Sequence, residues 1–389
     1  MDIELTPEQQ HFRDQVRAFI KDRLPAEIRE RMRKGFSPRK QDVVTWQRIL
    51  NEKGWAAPHW PREFGGAALG QVERLILLEE TSRAPAPPPL AFNVNMLGPV
   101  LLKFGTPWQR EYFLPRLANL DLWFCQGFSE PGSGSDLASL RTAARRDGDH
   151  YLVNGQKIWT TTAHLADWMF ALVRTNSEAR KQEGISLLLI DLKTPGITIR
   201  PIRSIDGEHH LNEVFLDDVK VPAQNLVGEE NKGWDCAKFL LASERTGIAN
   251  VGFCRERLDF ARELAAQITQ GGKRLIDDPK LRNELALLDA EVRALELTNA
   301  RFLLTPAEQQ ALPAFASLLK IKGVELQQDI SALLSRLSGP QGLERQPDGP
   351  GVPEGLAPLT RRYLYLRAAS IYGGSNEVQK DILARAIIG

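Results

Sequence analysis

Apolar residues recur at helical spacing through the first 120 residues of the chain. The first stripe of this kind consists of Phe12, Val16, Phe19 and Ile20. Residues three and four positions apart share one face of a helix, so this spacing predicts amphipathic helices. Segments rich in Pro and Gly interrupt the pattern at residues 58–70 and 84–89. We therefore predict a helical N-terminal domain over residues 1–120.

Between positions 121 and 229 the pattern changes to short runs of β-branched or alternating residues. These runs lie at residues 151–153, 168–173, 185–190, 197–199 and 214–216. Asn-Gly, Thr-Pro-Gly and Asp-Gly sequences separate them, as is typical of turns between strands. Asn154 and Gly155 are predicted to form a tight turn into a strand on which Trp159 and Thr161 point to the same side. The whole range is predicted to be a β domain.

Helical periodicity returns after Gly233 and continues to Ile388, which predicts a helical C-terminal domain over residues 230–389. Residues 338–358 interrupt it with many Gly and Pro residues. The insertion at residues 346–355 could cover a cleft, although a surface loop is the favoured interpretation. The predicted fold class is α+β, with a helical domain, a β domain and a second helical domain in that order.

Composition and charge exclude several classes of protein. The 389 residues are 42% hydrophobic and 25% charged, with a formal net charge of +1, so there is no basic field for nucleic acid or an anionic membrane. The N-terminus is polar and no run approaches the roughly 18 apolar residues of a membrane span, which favours a cytoplasmic protein. The three cysteines and six histidines are not spaced as ligands, so neither a disulfide nor a metal site is predicted.

Two polar signatures carry the candidate chemistry: FSEPGSGSD at residues 128–136 and NGQKIWTT at residues 154–161. The first supplies serine hydroxyls, and its glycines let backbone amides approach an anion. The second adds the tryptophan ring and a threonine hydroxyl. Each has a plain alternative, because Ser/Gly clusters are commonly turns and a lone strand Trp is commonly core. Together they favour a flat heteroaromatic cofactor with a phosphate-bearing tail, such as a flavin, whereas Glu130 is interpreted as a structural acceptor for backbone amides.

Five ordered motifs resemble those of acyl-CoA dehydrogenases over essentially the whole chain. Besides the two signatures, they are GWAAPHWPREFGG at residues 54–66, FLDDVKVP at residues 215–222 and IYGGSNEVQ at residues 371–379. The resemblance implies a helical N-terminal domain, a β-barrel-like middle domain and a C-terminal four-helix bundle. It also implies FAD between the last two domains, acyl-CoA on the other face of the flavin, and electron-transferring flavoprotein as electron acceptor.

The same resemblance implies roles for matched positions. Phe128 and Ser129 would meet the edge of the flavin ring, Ser135 the phosphates, Trp159 one ring face, and Thr161 the flavin N5, whereas Ser375 and Glu377 would reach the adenosine and ribityl side. The implied reaction removes a proton from the carbon α to a thioester while hydride leaves the β carbon for the flavin. It requires a general base.

The commonest branch of the family places this base after the tyrosine of the late motif, where this chain has Gly373. The Gly373 N–H would still polarise the thioester carbonyl, as an oxyanion hole does. Periodicity offers Glu244 instead. It lies on an apolar stripe formed by Ala237, Leu240, Leu241, Ile248 and Val251, and burial raises the pKa of a carboxylate.

Long-chain and isovaleryl-CoA dehydrogenases carry their base in a similar Glu-Arg segment, so Glu244 is the predicted base. The alternative is a structural ion pair between Glu244 and Arg245 or Arg257. Glu377 ranks below Glu244 as a candidate base, because its motif position matches one that contacts cofactor.

The chain departs from the family pattern where homotetrameric members bind a neighbour's FAD. Residues 268–273 lack the usual arginine and phenylalanine. In residues 336–343, RLSGPQGL, the glutamine that usually precedes the Gly-Gly turn is replaced, and Pro340 lies in the turn. Glycine cannot replace a guanidinium on a pyrophosphate. A related second acyl-CoA dehydrogenase subunit is therefore predicted, as in heteromeric enzymes acting on pimeloyl-CoA or steroid side chains. The alternatives are a flavin monooxygenase or nitroalkane oxidase on the same fold, and a non-catalytic subunit. The sequence does not select among dicarboxylic, branched, long-chain and steroid acyl groups as the substrate.

Overall fold

The computed structural model describes residues 5–304, 315–343 and 357–388, and for residues 242–248, 303, 341, 343 and 357 it describes the backbone but not the side chains. The α-helices in these ranges are α1 (Pro7–Arg23), α2 (Ala26–Arg33), α3 (Lys40–Asn51), α4 (Gln71–Arg83), α5 (Gly98–Phe104), α6 (Pro107–Ala118), α7 (Gly233–Ile248), α8 (Val251–Gln267), α9 (Pro279–Leu304), α10 (Phe315–Leu337), α11 (Ala357–Tyr365) and α12 (Asn376–Ile388). The strands are β1 (Phe124–Gly127), β2 (Ala143–Asp147), β3 (His150–Lys157), β4 (Trp168–Arg174), β5 (Ile185–Asp191), β6 (Ile197–Ile202), β7 (Leu211–Pro222), β8 (Leu226–Val227), β9 (Thr269–Gln270) and β10 (Lys273–Arg274). The predicted order of helices, strands and helices is confirmed.

The chain forms two compact units, and each is described by itself. The helical unit comprises residues 1–42, 69–88 and 245–389, and the sheet unit comprises residues 43–68 and 89–244. The domain boundaries predicted after residues 120 and 229 both lie inside the sheet unit, and they remain predictions. No helix within the described residues is long and apolar enough to cross a membrane.

The sheet unit is built on one mixed sheet in the order β6-β7-β3-β2-β4-β5-β8, with β1 parallel to β4. All five predicted β runs are strands. The central strands β4 and β5 pair antiparallel and are almost continuously buried, because both of their faces pack against core. Phe170 and Leu172 belong to one hydrophobic cluster, and Met169, Ala171 and Val173 to another. This is the alternation of side chains that a strand imposes.

The motif at residues 54–66 folds into a compact, closely packed turn segment around Trp60 in the sheet unit. Gly54 has a φ of +68°, and a Cβ built on it would lie 2.7 Å from the Gly66 carbonyl carbon. The Trp60 ring is fully buried, and its indole N–H donates a 3.0 Å hydrogen bond to the Val94 carbonyl. Gly98, the first residue of α5, lies against this ring. A glycine is therefore required at Gly54 against Gly66, and at Gly98 against the Trp60 ring.

The helical unit is organised around α10, which packs against α8, α9, α11 and α12. Most of its residues are buried, including the polar residues Ser317, Lys320 and Gln327. Helix α4 crosses α8 closely, because Gly252 leaves no room for a Cβ against the Ser82 side chain. A helix buried on nearly all sides needs an apolar sequence all round, and its polar residues must be hydrogen-bonded internally.

The stripe predicted after Gly233 spans two helices. Helix α7 ends at Ile248, and α8 begins at Val251 after Asn250, which has a φ of +50°. The expectation of one continuous stripe through Val251 was therefore wrong. A Cβ on Gly323 of α10 would lie 2.4 Å from the Ala249 carbonyl oxygen, so this close helix approach accompanies the break.

Candidate functional site

The first signature is a loop that follows β1. Phe128 is buried and packs edge-to-face against Phe170 with ring centroids 5.7 Å apart, so its backbone is the part that could reach a ligand. Ser129 is half-buried and Ser135 is exposed. Ser133 is buried, and its hydroxyl shares a 2.9 Å hydrogen bond with the Ser139 hydroxyl. Ser129 and Ser135 therefore remain the accessible hydroxyls among the three serines of this loop.

The turn predicted at Asn154 and Gly155 was wrong. Both residues lie inside β3, where the pairing with β7 shifts register between Val153 and Gly155. The Asn154 side chain both donates to and accepts from Asp218 across the strands, at 2.9 Å in each case. The hairpin turn lies earlier, at Gly148, whose φ is +63°. An Asn-Gly pair supplies a bulge as readily as a turn, because glycine tolerates both conformations.

Trp159 and Thr161 lie beyond the end of β3, so strand alternation does not place them. Trp159 has a φ of +59° and Thr162 a φ of +56°. This region is strained for bulky and β-branched residues and costs on the order of 1–3 kcal/mol at each position. Backbone hydrogen bonds hold the segment, from Thr160 N to the Asn212 carbonyl at 2.9 Å and from Thr162 N to the His210 carbonyl at 2.8 Å. Such strain is typical of functional sites.

The strained segment carries an exposed aromatic ring next to two threonine hydroxyls. The Trp159 side chain is 55% exposed, whereas the chain's fully buried large aromatics include Trp46 and Trp60. The Thr160 hydroxyl oxygen is buried without a hydrogen-bond partner among the described residues. The Thr161 side chain is half-buried. An open ring face beside hydroxyls matches what a flat cofactor requires.

Lys157 joins the two signatures physically. It is fully buried, and its ammonium donates to Glu130 Oε1 at 2.7 Å, to the Leu172 carbonyl at 2.7 Å and to the Phe128 carbonyl at 3.2 Å. The next residue, Ile158, donates its N–H to the Ser129 carbonyl at 3.0 Å. Three consecutive residues of the first signature are thus bound by two consecutive residues of the second.

Glu130 completes this connection as the predicted acceptor for backbone amides. It accepts from Arg141 N at 2.6 Å and from Thr142 N at 2.9 Å, which confirms that interpretation. Burial raises the pKa of Glu130, but the Lys157 charge and the hydrogen bonds outweigh it and lower the pKa overall. Burial lowers the pKa of Lys157 to about 8, although the Glu130 charge raises it in part. Both groups are therefore charged at pH 7.

The sequence reasoning missed Lys157, although the residue lay within a quoted motif. A lysine on a strand normally suggests a solvated face. The signal that could have identified it is the pattern of β3, where Tyr151 and Val153 are buried. In strict alternation residue 157 shares their face, so a lysine there requires a buried anion.

In the helical unit, the late motif forms a turn before α12. Gly373 and Gly374 have φ values of +65° and +84°. Ser375 caps the helix by accepting from Val378 N at 3.3 Å. Glu377 is exposed in the first helical turn, where a hydrogen bond from its own backbone and one from Ser375 lower its pKa. Both predicted cofactor-binding side chains of this motif therefore lie at a helix N-terminus, which favours negative ligand groups.

Buried polar residues of α10 hold this turn in place. Ser317 donates to Gln379 Oε1 at 2.8 Å, and Gln379 donates to the Gly373 carbonyl at 3.4 Å. Lys320 is fully buried and donates to Asn376 Oδ1 at 3.0 Å. Burial lowers the pKa of Lys320 to about 8, and the Glu377 charge raises it in part. The Gly373 backbone is thereby tied to the core of the helical unit.

The structure leaves two of the predicted features untested and describes a third. The Glu244 side chain lies outside the described residues, as does the insertion at residues 346–355. Residues 268–273 include an exposed two-stranded hairpin, β9 and β10, with Gly271 and Gly272 both at positive φ in its turn. Among the described residues, no three His, Cys, Asp or Glu side chains are grouped to hold a metal ion.

The residues present fit a flavin nucleotide. The sheet unit offers an exposed Trp159 ring, an unpartnered Thr160 hydroxyl and open space at Gly132 and Gly134, where a built Cβ meets nothing within 4 Å. Aromatic, hydroxyl and backbone donors are the groups that hold a ring system with a phosphate tail.

Comparison with known proteins agrees with this chemistry. Profiles of the acyl-CoA dehydrogenase N-terminal, middle and C-terminal domains match residues 6–121, 125–219 and 231–388. The chain is 36% identical over 386 residues to acyl-CoA dehydrogenase IpdE1 of Mycobacterium tuberculosis, covering 98% of this chain and 97% of that relative.

Solved structures agree as well. The ChsE4-ChsE5 complex of Mycobacterium tuberculosis matches with a TM-score of 0.84 and 33% identity over 100% of this chain and 99% of that chain. The Tcur3481-Tcur3483 steroid ACAD matches with a TM-score of 0.85 and 30% identity over the same shares. The resemblance and fold class predicted from the motifs are confirmed: this chain belongs to the acyl-CoA dehydrogenase family of oxidoreductases, whose members dehydrogenate acyl-CoA thioesters with FAD.

Proposed function

We propose that this chain binds FAD against its two signatures and uses Glu244 to remove the α proton of a bound acyl-CoA. The observation that carries the proposal is the direct bonding of the two signatures through Lys157, beside a strained segment that exposes the Trp159 ring. When bound, FAD supplies the acceptor for the hydride that leaves the β carbon. The chain's own residues hold the cofactor and move the proton.

Each group of the sheet unit has a role in this proposal. The exposed Trp159 ring covers one face of the flavin, and the Thr161 hydroxyl donates toward N5. Ser129 and the backbone of Phe128 meet the ring edge. Ser135 and the neighbouring glycine amides hold the phosphates, since exposed backbone N–H groups are good anion donors. The open space at Gly132 and Gly134 supports this last assignment.

The assignment of the base rests on Gly373 and helix α7. The late motif has no carboxylate at residue 373, so another acid must take the proton. In α7 residue 244 lies one turn beyond Leu240, which is 1% exposed, and on the same helix face. A desolvated carboxylate is a stronger base, which favours Glu244 for this step. The Gly373 N–H would donate to the thioester carbonyl, and Ser375 and Glu377 would contact the adenosine and ribityl side.

The exchange Glu244→Gln tests the base. We expect FAD to stay bound while the rate of anaerobic flavin reduction by acyl-CoA falls by about 10²–10⁴-fold, the usual contribution of a general base. Asp235→Asn is the matched control, because Asp235 lies on the same helix and pairs with Lys238 at 2.9 Å. Flavin reduction at the wild-type rate in Glu244→Gln would show that Glu244 is not the base. So would loss of flavin reduction in Glu377→Gln but not in Glu244→Gln.

We also propose a related acyl-CoA dehydrogenase as a second subunit. The exposed Gly271–Gly272 turn offers no side chain to a neighbour's FAD, and two matched structures are named as two-component assemblies. Co-expression with candidate partner chains, followed by measurement of mass and FAD content, tests this. A homotetramer that holds one FAD per protomer tightly would contradict it.

The substrate and the electron acceptor are to be found by screening. One matched structure is named a steroid ACAD, so CoA thioesters of steroid fragments are the first class to test against dicarboxylic, branched and long-chain thioesters. The proposed acceptor is electron-transferring flavoprotein. Reoxidation of the reduced enzyme by that protein, but only slowly by oxygen, would distinguish a dehydrogenase from an oxidase or monooxygenase on the same fold.

A further inference from the structure

The buried pair Lys157–Glu130 is unusual in what it binds. The Lys157 ammonium donates to Glu130, Leu172 and Phe128, and the Glu130 carboxylate also accepts from the backbone N–H groups of residues 141 and 142. Every one of these partners belongs either to the ends of the loop 128–142 or to the adjacent strand β4. The pair therefore closes this loop at its base.

Stability alone does not explain such a pair. Replacing a buried ion pair by apolar residues is often neutral or stabilising, whereas removing one partner is strongly destabilising. The best-attested use of buried polar groups is to select one geometry among several. Here the geometry in question is the distance between the Ser129–Ser135 loop and the Trp159–Thr161 segment, which are the two surfaces proposed to contact one cofactor.

We propose that Lys157 and Glu130 are positioning residues that hold the loop 128–142 against the Trp159–Thr161 segment in the geometry required for FAD. This inference rests on the proposed function, because it takes FAD as the shared ligand. Lys157 acts through the Phe128 carbonyl and Glu130, on either side of Ser129. Glu130 acts through residues 141 and 142 at the far end of the loop. Neither side chain needs to touch the cofactor.

The experiment separates two effects of the Lys157–Glu130 pair: neutralisation of a buried charge, read from the thermal midpoint, and the geometry of the loop, read from FAD affinity. Lys157→Met leaves the Glu130 carboxylate buried without its cation, so it should lower the thermal midpoint and weaken FAD binding. Adding Glu130→Gln removes the uncompensated charge, so the double variant should recover most of the thermal midpoint. The double variant still lacks the hydrogen bonds that Lys157 donates to the Phe128 and Leu172 carbonyls in the wild-type protein. We therefore expect its FAD dissociation constant to stay about tenfold or more above wild type, the equivalent of one lost hydrogen bond.

Tyr151→Phe is the matched control. Tyr151 lies on β3, is fully buried, and donates its hydroxyl hydrogen bond to Glu230, outside the loop, at 2.6 Å. It should lower the thermal midpoint while leaving the FAD dissociation constant and the visible circular dichroism of bound flavin unchanged. Recovery of FAD affinity together with stability in the double variant, or an equal loss of affinity in Tyr151→Phe, would overturn the proposal.

Amide hydrogen exchange of the wild-type protein requires no variant. Adding FAD should slow exchange in the peptides that cover residues 128–142 and 157–162 together, because both surfaces close on the same ligand. Unchanged exchange in residues 128–142 with FAD bound would overturn the inference. A wild-type protein that binds no FAD, alone or with its second subunit, would instead refute the proposed function.

Discussion

The exchange Gly98→Ala tests the packing of the 54–66 segment around Trp60 without altering the proposed cofactor site. A Cβ built on Gly98 would lie 1.8 Å from Trp60 Cζ2 and 2.5 Å from Cη2. The ring has little room to move, because it is fully buried and its indole N–H is bound to the Val94 carbonyl at 3.0 Å. The added methyl group must therefore displace the indole.

The expected loss follows from two terms. Overpacking a full core costs about 1–3 kcal/mol. Displacing the ring also weakens the hydrogen bond from Trp60 to the Val94 carbonyl, which adds about 1 kcal/mol. Gly98 has helical φ and ψ of −57° and −52°, so alanine would otherwise stabilise by about 0.4–1 kcal/mol. We expect a net loss of about 2–3 kcal/mol in the free energy of unfolding.

Urea unfolding of a double-mutant cycle measures this. Trp60→Phe lacks the outer atoms that meet the new methyl group, so Gly98→Ala should cost at least about 1 kcal/mol less in that background. Gly132→Ala is the control, since its built Cβ meets nothing within 4 Å. Additive losses in the cycle, or a Gly98→Ala protein as stable as wild type, would refute the steric reasoning.

Three further predictions concern buried polar groups. The folded-state pKa of Glu130 lies below its ordinary value of 4.5. Its stabilising contribution is therefore fully present above pH 4.5 and is lost as the pH falls from there through the lower folded-state pKa. The thermal midpoint of the wild-type protein should fall more steeply in acid than that of Glu130→Gln, which has no carboxylate to titrate at this position. Gln47→Met should cost about 2–4 kcal/mol in urea unfolding, because Gln47 accepts from Leu90 N at 2.7 Å and donates to two buried carbonyls; an unchanged midpoint would contradict this. Cys125 and Cys254 are fully buried with raised pKa values, about 12 for Cys254, so a thiol reagent at pH 8 should label them in denaturant but not in the native protein.

The strands and the helical regions could be predicted because their patterns are local. The apolar run at residues 168–173 is short and lies in a region of repeated turn sequences, which favours a buried strand, and it forms β4. The family could be predicted because its five motifs are ordered along the chain. The turn at Asn154 and Gly155 could not, since the same dipeptide suits a turn or a bulge, and the pairing of β3 with the distant β7 selected the bulge.

The sequence by itself determined which residue types are available: hydroxyls and glycines in one signature, a tryptophan in another, and a glycine where the late motif commonly has an acid. Only the tertiary structure decided how they are joined. It placed the Lys157 ammonium, at the end of β3, 2.7 Å from the Glu130 carboxylate, 27 positions earlier in the loop after β1. It also put Trp159 in a strained, exposed conformation after the strand. Periodicity reports the face of one element. The partner of a buried charge depends on which elements pack together, and that is a property of the folded chain as a whole.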